Sequence, residues 1–180
     1  MALTSTIYNF DIQLSDMDRG VYEALDVRAA QHPSETEDSL VTRVLAYCCE
    51  YTEGIGFSKG ISEPDDPAVF VRDLTGRLRV WIDIGAPDAA RIHRASKAVD
   101  RVVVYTHKDP KQMLALWAGE RIHKAEAIEV LALNREMLAA VVARLERRMA
   151  FSLTITERHL YVAIGDDVID GVITRHELGN

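Results

Sequence analysis

The chain of 180 residues contains only two cysteines and five prolines, and it has no long uninterrupted apolar run. Cys48 and Cys49 are adjacent inside a pattern of helical spacing, which excludes a disulfide framework and a zinc knuckle. No stretch approaches the roughly 20 apolar residues of a membrane-spanning helix. The start, MALTSTIYNFDIQLSDMD, lacks the basic and apolar regions of a signal peptide. We therefore expect a cytoplasmic protein that makes no membrane contact and uses both thiols for packing.

Common sequence signatures of catalysis are also missing. The chain has no G-x-S-x-G, P-loop or G-x-G-x-x-G string, and its six histidines show no H-x-x-x-H or H-E-x-x-H spacing. A zinc site is therefore not expected. The segment GIGFSKG, over 54–60, is the nearest to a phosphate loop. Because it lacks a strand–loop–helix context, it predicts a plain turn, in which Lys59 could still contact a phosphate.

The charge distribution is uneven. The net charge is −7, which argues against a general attraction to nucleic acid or to an anionic membrane. Residues 91–124, however, hold eight Lys and Arg against three acids, so this segment carries +5 and the remainder −12. One interpretation is a solvated face of surface helices. The other is a basic rim beside an acidic site, as in metal-dependent enzymes that act on phosphodiesters.

The pattern of apolar residues predicts a mixed α/β (α+β) protein, organised as one domain over residues 1–180. A partly parallel sheet is flanked by helices, and antiparallel strands are added at both chain ends. The predicted elements are strands over 3–14 and 20–33, a helix over 35–52, a hairpin with strands 68–73 and 77–85, a helix over 87–99, a strand over 101–107, a helix over 110–118, a strand over 127–133, a helix over 134–149, and two or three strands over 151–178.

Local signals refine three of these elements. Ser34 and Glu37 form an S-x-x-E capping box ahead of the first helix, and Asn134 is expected to cap the last helix. Gly76 suits the left-handed position of a three-residue hairpin loop. The almost wholly apolar strand RVVVYTH, over 101–107, is expected at a buried central position of the sheet.

Asp83 is the residue that most needs an explanation. It lies near the end of the apolar strand LRVWIDI, where an unpaired buried charge would cost several kcal/mol. If Asp73 pairs with Arg77, then Asp83 lies opposite Pro67 and Asp65 falls beside it. A two-residue loop would select Asp66 instead. The segment EPDDPAVF, which also contains Glu63, thus brings acids to the end of the strand that carries Asp83.

Two interpretations of these acids remain open. Carboxylates brought together would repel each other unless a cation lay between them, and Mg²⁺ or Mn²⁺ suits oxygen ligands. The metal ligands would then be Asp83 with Asp65 or Asp66. Alternatively, Asp65 and Asp66 belong to a proline-bounded turn, and Asp83 is satisfied by an arginine or a backbone amide.

The strings HPSETED, DDPAVFVRDLTG and WIDIGAPDAARI, with the opening MALTSTIY, resemble the YaeQ family of small bacterial proteins over nearly the whole chain. Proteins of that family resemble the PD-(D/E)xK nuclease fold, in which a helix acid, a hairpin Asp and a D/E-x-K tripeptide hold Mg²⁺. The resemblance implies that Glu35 or Glu37 is the helix acid, which orders water. It also implies that Asp65 or Asp66 is the hairpin acid and that Asp83 is the second acid.

The chain departs from that pattern at Gly85, which stands in the place of the catalytic lysine. In nucleases such a lysine positions or deprotonates the attacking water. The following helix offers Arg91, Arg94 and Lys97 as replacements. An arginine could bind phosphate but would be a poor general base, whereas the pKa of a lysine shifts more readily. The sequence therefore leaves two hypotheses, a metal-dependent nuclease-like enzyme and a non-catalytic module that binds protein or nucleic acid.

Overall fold

The computed structural model describes residues 4–59 and 65–178. In chain order its helices and strands are β1 (Thr6–Asp16), β2 (Val21–Gln31), α1 (Glu37–Cys49), β3 (Ile55–Phe57), β4 (Val69–Arg72), β5 (Leu78–Ile84), α2 (Ala89–Ala98), β6 (Arg101–Thr106), α3 (Pro110–Trp117), β7 (Glu129–Ala132), α4 (Arg135–Val142), β8 (Arg148–Thr156), β9 (His159–Ile164), β10 (Asp167–Val172) and β11 (Thr174–His176). A single 3₁₀ turn at Ala125–Ala127 precedes β7. The predicted mixed α+β class is confirmed for the described residues.

The chain divides into two compact units. The first unit comprises residues 1–49 and 133–174, and the second comprises residues 50–132 and 175–180. The division separates α1 and its preceding strands from the hairpin β4–β5. The expectation of one domain over 1–180 stays a prediction.

The first unit is built on a five-stranded sheet in the order β10-β9-β8-β1-β2. The alternation in β1 works as predicted, because Phe10, Ile12 and Leu14 are buried while Asp11 and Gln13 are exposed. β2 is the antiparallel partner of β1, whereas β8 lies parallel to β1 on its other side. Helices α1 and α4 contact each other, and α4 also contacts β10.

The turn between β8 and β9 is held by an acid from another turn. Glu157 and Arg158 both have positive φ angles, 50° and 61°, a conformation that costs free energy in residues other than glycine. The carboxylate of Asp18, at the tip of the β1–β2 hairpin, accepts hydrogen bonds from both of their backbone N–H groups, at 2.6 and 3.1 Å. This contact therefore joins the ends of two hairpins.

The second unit is built on a six-stranded sheet in the order β11-β7-β6-β5-β4-β3. Strands β5, β6 and β7 are parallel, and helices α2 and α3 connect them in sequence, so the predicted partly parallel sheet is present. The apolar strand β6 lies between two neighbours, and its side chains from Val102 to Thr106 are buried. Trp81, Ile92, Val104, Trp117 and Val130 belong to one apolar core cluster in this unit.

Ion pairs of Arg101 connect the starts of the parallel strands β6 and β7. Arg101 contacts Glu50 at 2.7 Å and Glu129 at 2.5 Å, and the hydroxyl of Tyr105 donates to Glu50 at 2.8 Å. Partial burial lowers the pKa of Arg101, but the hydrogen bonds and charges of both carboxylates raise it above its ordinary value. Arg175 of β11 also approaches Glu129. This network removes Arg101 from the positive charges available to a ligand.

The hairpin register differs from the prediction beyond its loop. Asp73 N–H donates to Arg77 O at 2.9 Å and Gly76 has a φ of 85°, so the three-residue loop is confirmed. Arg72 pairs with Leu78, but the next pair along the hairpin is Val71 with Val80. Arg79 therefore has no partner on β4 and forms a β-bulge. The bulge moves the register by one position. Asp83 is therefore level with Ala68, and Asp66 rather than Asp65 lies two positions away on the same side.

Three other local predictions were wrong. The expected helix over 134–149 ends at Val142, and residues from Arg148 onward form β8, although Asn134 caps α4 as predicted. The Ser34–Glu37 capping box is not formed: Thr36 caps α1, while Ser34 hydrogen bonds His32. The segment 54–60 contains the edge strand β3 rather than only a turn, and its last residue lies outside the described residues.

Of the two cysteines, Cys48 is buried and Cys49 is half-buried. Burial raises the pKa of the Cys48 thiol to about 12 despite the charge of Arg19. Such a thiol is unreactive at neutral pH. None of the helices in the described ranges is long and apolar enough to cross a membrane.

Candidate functional site

The first turn of α2 positions the central residue of the candidate site. The carboxylate of Asp88 accepts a hydrogen bond from the backbone N–H of Arg91 at 2.8 Å and so caps the helix. Asp at this position stabilises a helix start because it satisfies an otherwise unpaired N–H group. The cap places Arg91 one turn into α2, at the end of β5 that carries Asp83.

Asp83 is the partner of Arg91. Its carboxylate is 3% exposed and accepts two hydrogen bonds from the guanidinium, one from Nε at 2.7 Å and one from Nη2 at 3.0 Å. A bidentate pair of this kind is among the stronger charge-assisted interactions in proteins. Of the two interpretations left open by the sequence, the one in which an arginine satisfies Asp83 is confirmed.

The same guanidinium is surrounded by further acceptors. Its Nη2 also donates to the carbonyl oxygen of Asp66 at 2.6 Å, and its Cζ lies 5.1 Å from the ring centroid of Trp81. Partial burial lowers the pKa of Arg91, but Asp83, and then the charges of Asp88 and Asp65, raise it above the ordinary value. Arg91 therefore pairs with the carboxylate of Asp83, binds the backbone of Asp66 and lies within the electrostatic influence of Asp65.

These residues do not fit a divalent cation while Arg91 is in place. Both oxygens of Asp83 are occupied by the guanidinium, and Asp66 presents its backbone carbonyl to the same group. Within the described residues no three His, Cys, Asp or Glu side chains are arranged to hold a metal ion. Glu63, a further acid of this segment, lies outside them. A metal at Asp65, Asp66 and Asp83 remains a prediction, and no chemical step is derived through it.

The backbone at Gly85 explains why a lysine is missing there. Gly85 has a φ of 91°, which L side chains rarely adopt. A Cβ at this position would lie 3.6 Å from His107, an ordinary contact, so a side chain here is disfavoured by backbone strain and not by lack of space. Its N–H also donates to Tyr105 O at 2.9 Å, which fixes the strand end.

The two acids proposed for the first helix lie in the first unit. Glu35 precedes α1, is buried, and forms a bidentate pair with Arg43, at 2.9 and 3.1 Å. Ser39 donates to the same carboxylate and Arg43 also binds Ala30 O, so this group serves the packing of the unit. Glu37 is exposed in the first turn of α1, where a carboxylate suits the helix dipole.

The basic residues separate into paired and exposed groups. Arg94 and Lys97 are exposed on α2, and Lys59 is exposed beyond β3. Arg94 and Lys97 surround His93 together with Arg121 and His123, and the backbone N–H of His123 donates to His93 Nδ1 at 3.0 Å. We call these five residues, His93, Arg94, Lys97, Arg121 and His123, the α2 basic patch.

The α2 basic patch has an electrostatic signature. Partial desolvation and the positive charges of Lys97, Arg121, His123 and Arg94 lower the pKa of His93 below its ordinary value. The sequence showed the excess of basic residues in 91–124. It did not show that the segment with Arg121 and His123 lies next to α2 in the folded protein. A signal was present in His93 and His123, which stand among Lys and Arg at both ends of that segment.

Removing one member of the buried pair should destabilise the protein. We expect Arg91→Met to lower the free energy of unfolding by about 3 kcal/mol, because it leaves the Asp83 carboxylate buried without a partner. Asp83→Asn should also lower it, since it leaves Arg91 facing a neutral amide. The measurement is urea denaturation followed by circular dichroism.

The double variant Asp83→Asn/Arg91→Met should lose less than the two single losses added together. Arg94→Met, an exposed arginine on the same helix, is the matched control and should change stability little. If Asp83→Asn is as stable as the wild type, then the carboxylate does not depend on Arg91 and remains open to another cation.

Comparison with known proteins places the chain in a family. It is 28% identical over 166 residues to the YaeQ protein of Escherichia coli K12 and 26% identical to that of Salmonella typhi, in each case with 91% of both chains covered. The crystal structure of YaeQ from Xanthomonas axonopodis pv. citri matches 98% of this chain and all of that one, with a TM-score of 0.87 and 28% identity. The YaeQ structure from Pseudomonas syringae matches 97% of this chain and 98% of that one, with a TM-score of 0.86 and 28% identity. The family model described as YaeQ protein matches residues 1–171, and the chain belongs to the YaeQ family.

Proposed function

We propose that the protein binds nucleic acid phosphates in the bacterial cytoplasm through the α2 basic patch and does not hydrolyse them at Asp83. The observation that carries this proposal is the hydrogen bond from the backbone N–H of His123 to His93 Nδ1, which brings the basic segment 121–124 to α2 beside the exposed Arg94 and Lys97. Repulsion among neighbouring positive charges costs free energy, and a bound phosphate group would relieve that repulsion. The α2 basic patch is therefore expected to bind an anion.

The pairing of basic residues supports a localised binding surface. Of the eight Lys and Arg in 91–124, Arg91 and Arg101 are held by buried or half-buried acids. The other six are exposed, namely Arg94, Lys97, Lys108, Lys111, Arg121 and Lys124. Exposed Lys and Arg are the residues that contact phosphates and release counterions on binding.

The charges of the two units favour the second unit as the binding region. The first unit has 14 acidic and 8 basic residues, which gives it a net charge of −6. The second unit has 14 acidic and 13 basic residues, which gives it a net charge of −1. A polyanion is repelled by the first and meets a nearly neutral second unit with one basic surface. Binding should therefore be local, of moderate strength and sensitive to salt.

Charge reversal in the patch should weaken the binding of a labelled single-stranded DNA. We expect Lys97→Glu/Arg121→Glu to reduce the affinity at least about tenfold. The same variant should reduce the dependence of log K on log salt concentration by about one for each phosphate that the protein no longer neutralises. Fluorescence anisotropy at several salt concentrations measures both quantities.

Arg135→Glu/Arg148→Glu, at two exposed residues of the first unit, makes the same change in net charge and is the matched control. If both double variants weaken binding equally, then net charge and not the α2 basic patch governs association. If the wild type binds neither DNA nor RNA at low salt, the proposed function is wrong, and a protein partner becomes the better hypothesis for a non-catalytic module.

Binding should strengthen as the pH falls. The pKa of His93 is lowered in the free protein, where its Nδ1 accepts a hydrogen bond from the backbone N–H of His123. A phosphate that accepts from this N–H instead, and that offsets the surrounding charges, should raise the pKa of His93, so the complex takes up a proton. A shift of one pKa unit corresponds to about tenfold in affinity, and we expect an increase of about threefold to tenfold between pH 8 and pH 6. The anisotropy titration repeated at both pH values measures this difference.

His93→Gln should remove most of this pH dependence, leaving the part that comes from His123. His32→Gln, which changes a histidine of the first unit, should leave the dependence intact. An affinity that is equal at pH 6 and pH 8 in the wild type would show that bound phosphate does not reach His93.

The metal-dependent nuclease remains a second candidate because the charges of Asp65, Asp83 and Asp88 all act on the Arg91 guanidinium. With Asp83 held by Arg91, we expect titration calorimetry with Mg²⁺ or Mn²⁺ to detect no binding that Asp83→Asn removes. Incubation with Mn²⁺ and single- or double-stranded DNA or RNA should likewise produce no cleavage. Cleavage by the wild type that Asp83→Asn abolishes would instead identify a nuclease, and loss of cleavage in a Lys97→Ala variant that still binds the DNA would give Lys97 the role of the missing lysine.

A further inference from the structure

Strand β2 forms one edge of the five-stranded sheet in the first unit. It has eleven residues, Val21–Gln31, whereas β10 at the opposite edge has six. Its pairing with β1 continues without a bulge through all eleven positions. Of the features that usually protect an edge strand from pairing, β2 has charged side chains at Glu23, Asp26 and Arg28, but it has no proline, lysine or bulge.

The backbone groups that face outward from β2 can be identified. The carbonyl of Ala30 accepts a hydrogen bond from Arg43, and the carbonyl of Ile7, which lies opposite Ala30 on β1, accepts one from Arg147. Neither carbonyl is therefore directed into the β1–β2 ladder. In an antiparallel ladder, residue pairs that exchange hydrogen bonds alternate with pairs that do not. Every second residue of β2, counted back from Ala30, therefore directs its N–H and C=O groups away from β1 and towards the edge. These residues include Ala24, Asp26 and Arg28.

The side chains on this edge carry an arrangement of charges that complements itself. Asp26 and Arg28 are exposed on the face opposite to the buried Leu25 and Val27. If two copies of β2 run antiparallel around a two-fold axis at Val27, Asp26 lies opposite Arg28 of the partner subunit, and the same pair forms again by symmetry. Shifting the register by two residues places Asp26 opposite its own copy, or Arg28 opposite its own copy, and like charges in those positions are destabilising.

The pairing of β1 with β2 gives a second reason for this register. Asp11 of β1 lies directly opposite Asp26 of β2, so two carboxylates are neighbours across the strands of a single chain. In the proposed register, Arg28 of the partner subunit continues that row and offsets both acids. Arg28 itself is flanked on β1 by Asn9, which is not charged.

We propose that the protein forms a symmetric dimer in which β2 pairs with β2 of a second copy, so that the two five-stranded sheets become one sheet of ten strands. The Ala30 carbonyl is already occupied by Arg43, which confines the new backbone hydrogen bonds mainly to residues 24–28. The interface is therefore small, and the dimer dissociates on dilution. This dimer involves only the first unit and does not depend on the nucleic acid proposal.

Charge exchange provides the test. Sedimentation analysis over a range of concentrations should show a concentration-dependent dimer for the wild type. Asp26→Arg and Arg28→Asp each place like charges opposite each other twice, and each should weaken dimerisation about tenfold or more. The double variant Asp26→Arg/Arg28→Asp restores opposite charges with their positions exchanged and should recover the dimer.

Two further measurements test whether the variants remain folded and whether β2 forms the interface. Circular dichroism of each variant should match the wild type, because both side chains are exposed, and Arg135→Glu, an exposed residue of α4, should leave the dimer intact. Hydrogen exchange at the amides of Asp26 and Arg28 should slow as the wild-type concentration rises. A wild type that is monomeric at all concentrations overturns the proposal. A dimer that neither single variant weakens, or one that the folded double variant fails to restore, overturns the β2 register.

Discussion

The candidate site depends on the bidentate ion pair between Asp83 and Arg91. A carboxylate that is 3% exposed requires a positive partner, and the Asp88 cap of α2 brings a guanidinium to it from the next element of the chain. Once Arg91 is there, it also binds the carbonyl of Asp66 and lies against Trp81. The end of the hairpin, the start of α2 and the core are thus joined by one side chain.

This constraint gives physical meaning to the departure at Gly85. In a D/E-x-K tripeptide the lysine supplies a positive charge next to the second acid. Here the backbone at the third position is left-handed, and the positive charge comes from Arg91 of the following helix. An arginine stays protonated at any physiological pH. The arrangement therefore neutralises Asp83 without providing a base, and this is the ground on which we propose binding without hydrolysis at Asp83.

Much of the fold was accessible from the sequence because its signals were local. The alternation of Phe10, Ile12 and Leu14, the apolar run that forms β6 and the cap at Asn134 each depend on neighbours in the chain. The hairpin register failed because Arg79, as a bulge residue, instead contacts Asp73 and Asp100, and such contacts have no local signature. The helix predicted over 134–149 failed since strand pairing of β8 with β1 outweighed helical periodicity.

The site shows the same limit more sharply. The sequence identified Asp83 as a residue that needs a partner and named Arg91, but it assigned Arg91 to an external phosphate. Periodicity cannot decide between these roles, because both require the same position in the first turn of α2. The decision comes from burial: Asp83 is inaccessible, so the arginine nearest to it is required internally. Among the basic residues of 91–124 that the structure describes, the exposed ones are Arg94, Lys97, Lys108, Lys111, Arg121 and Lys124. An external phosphate of the kind proposed would therefore have to be bound by these residues and not by Arg91.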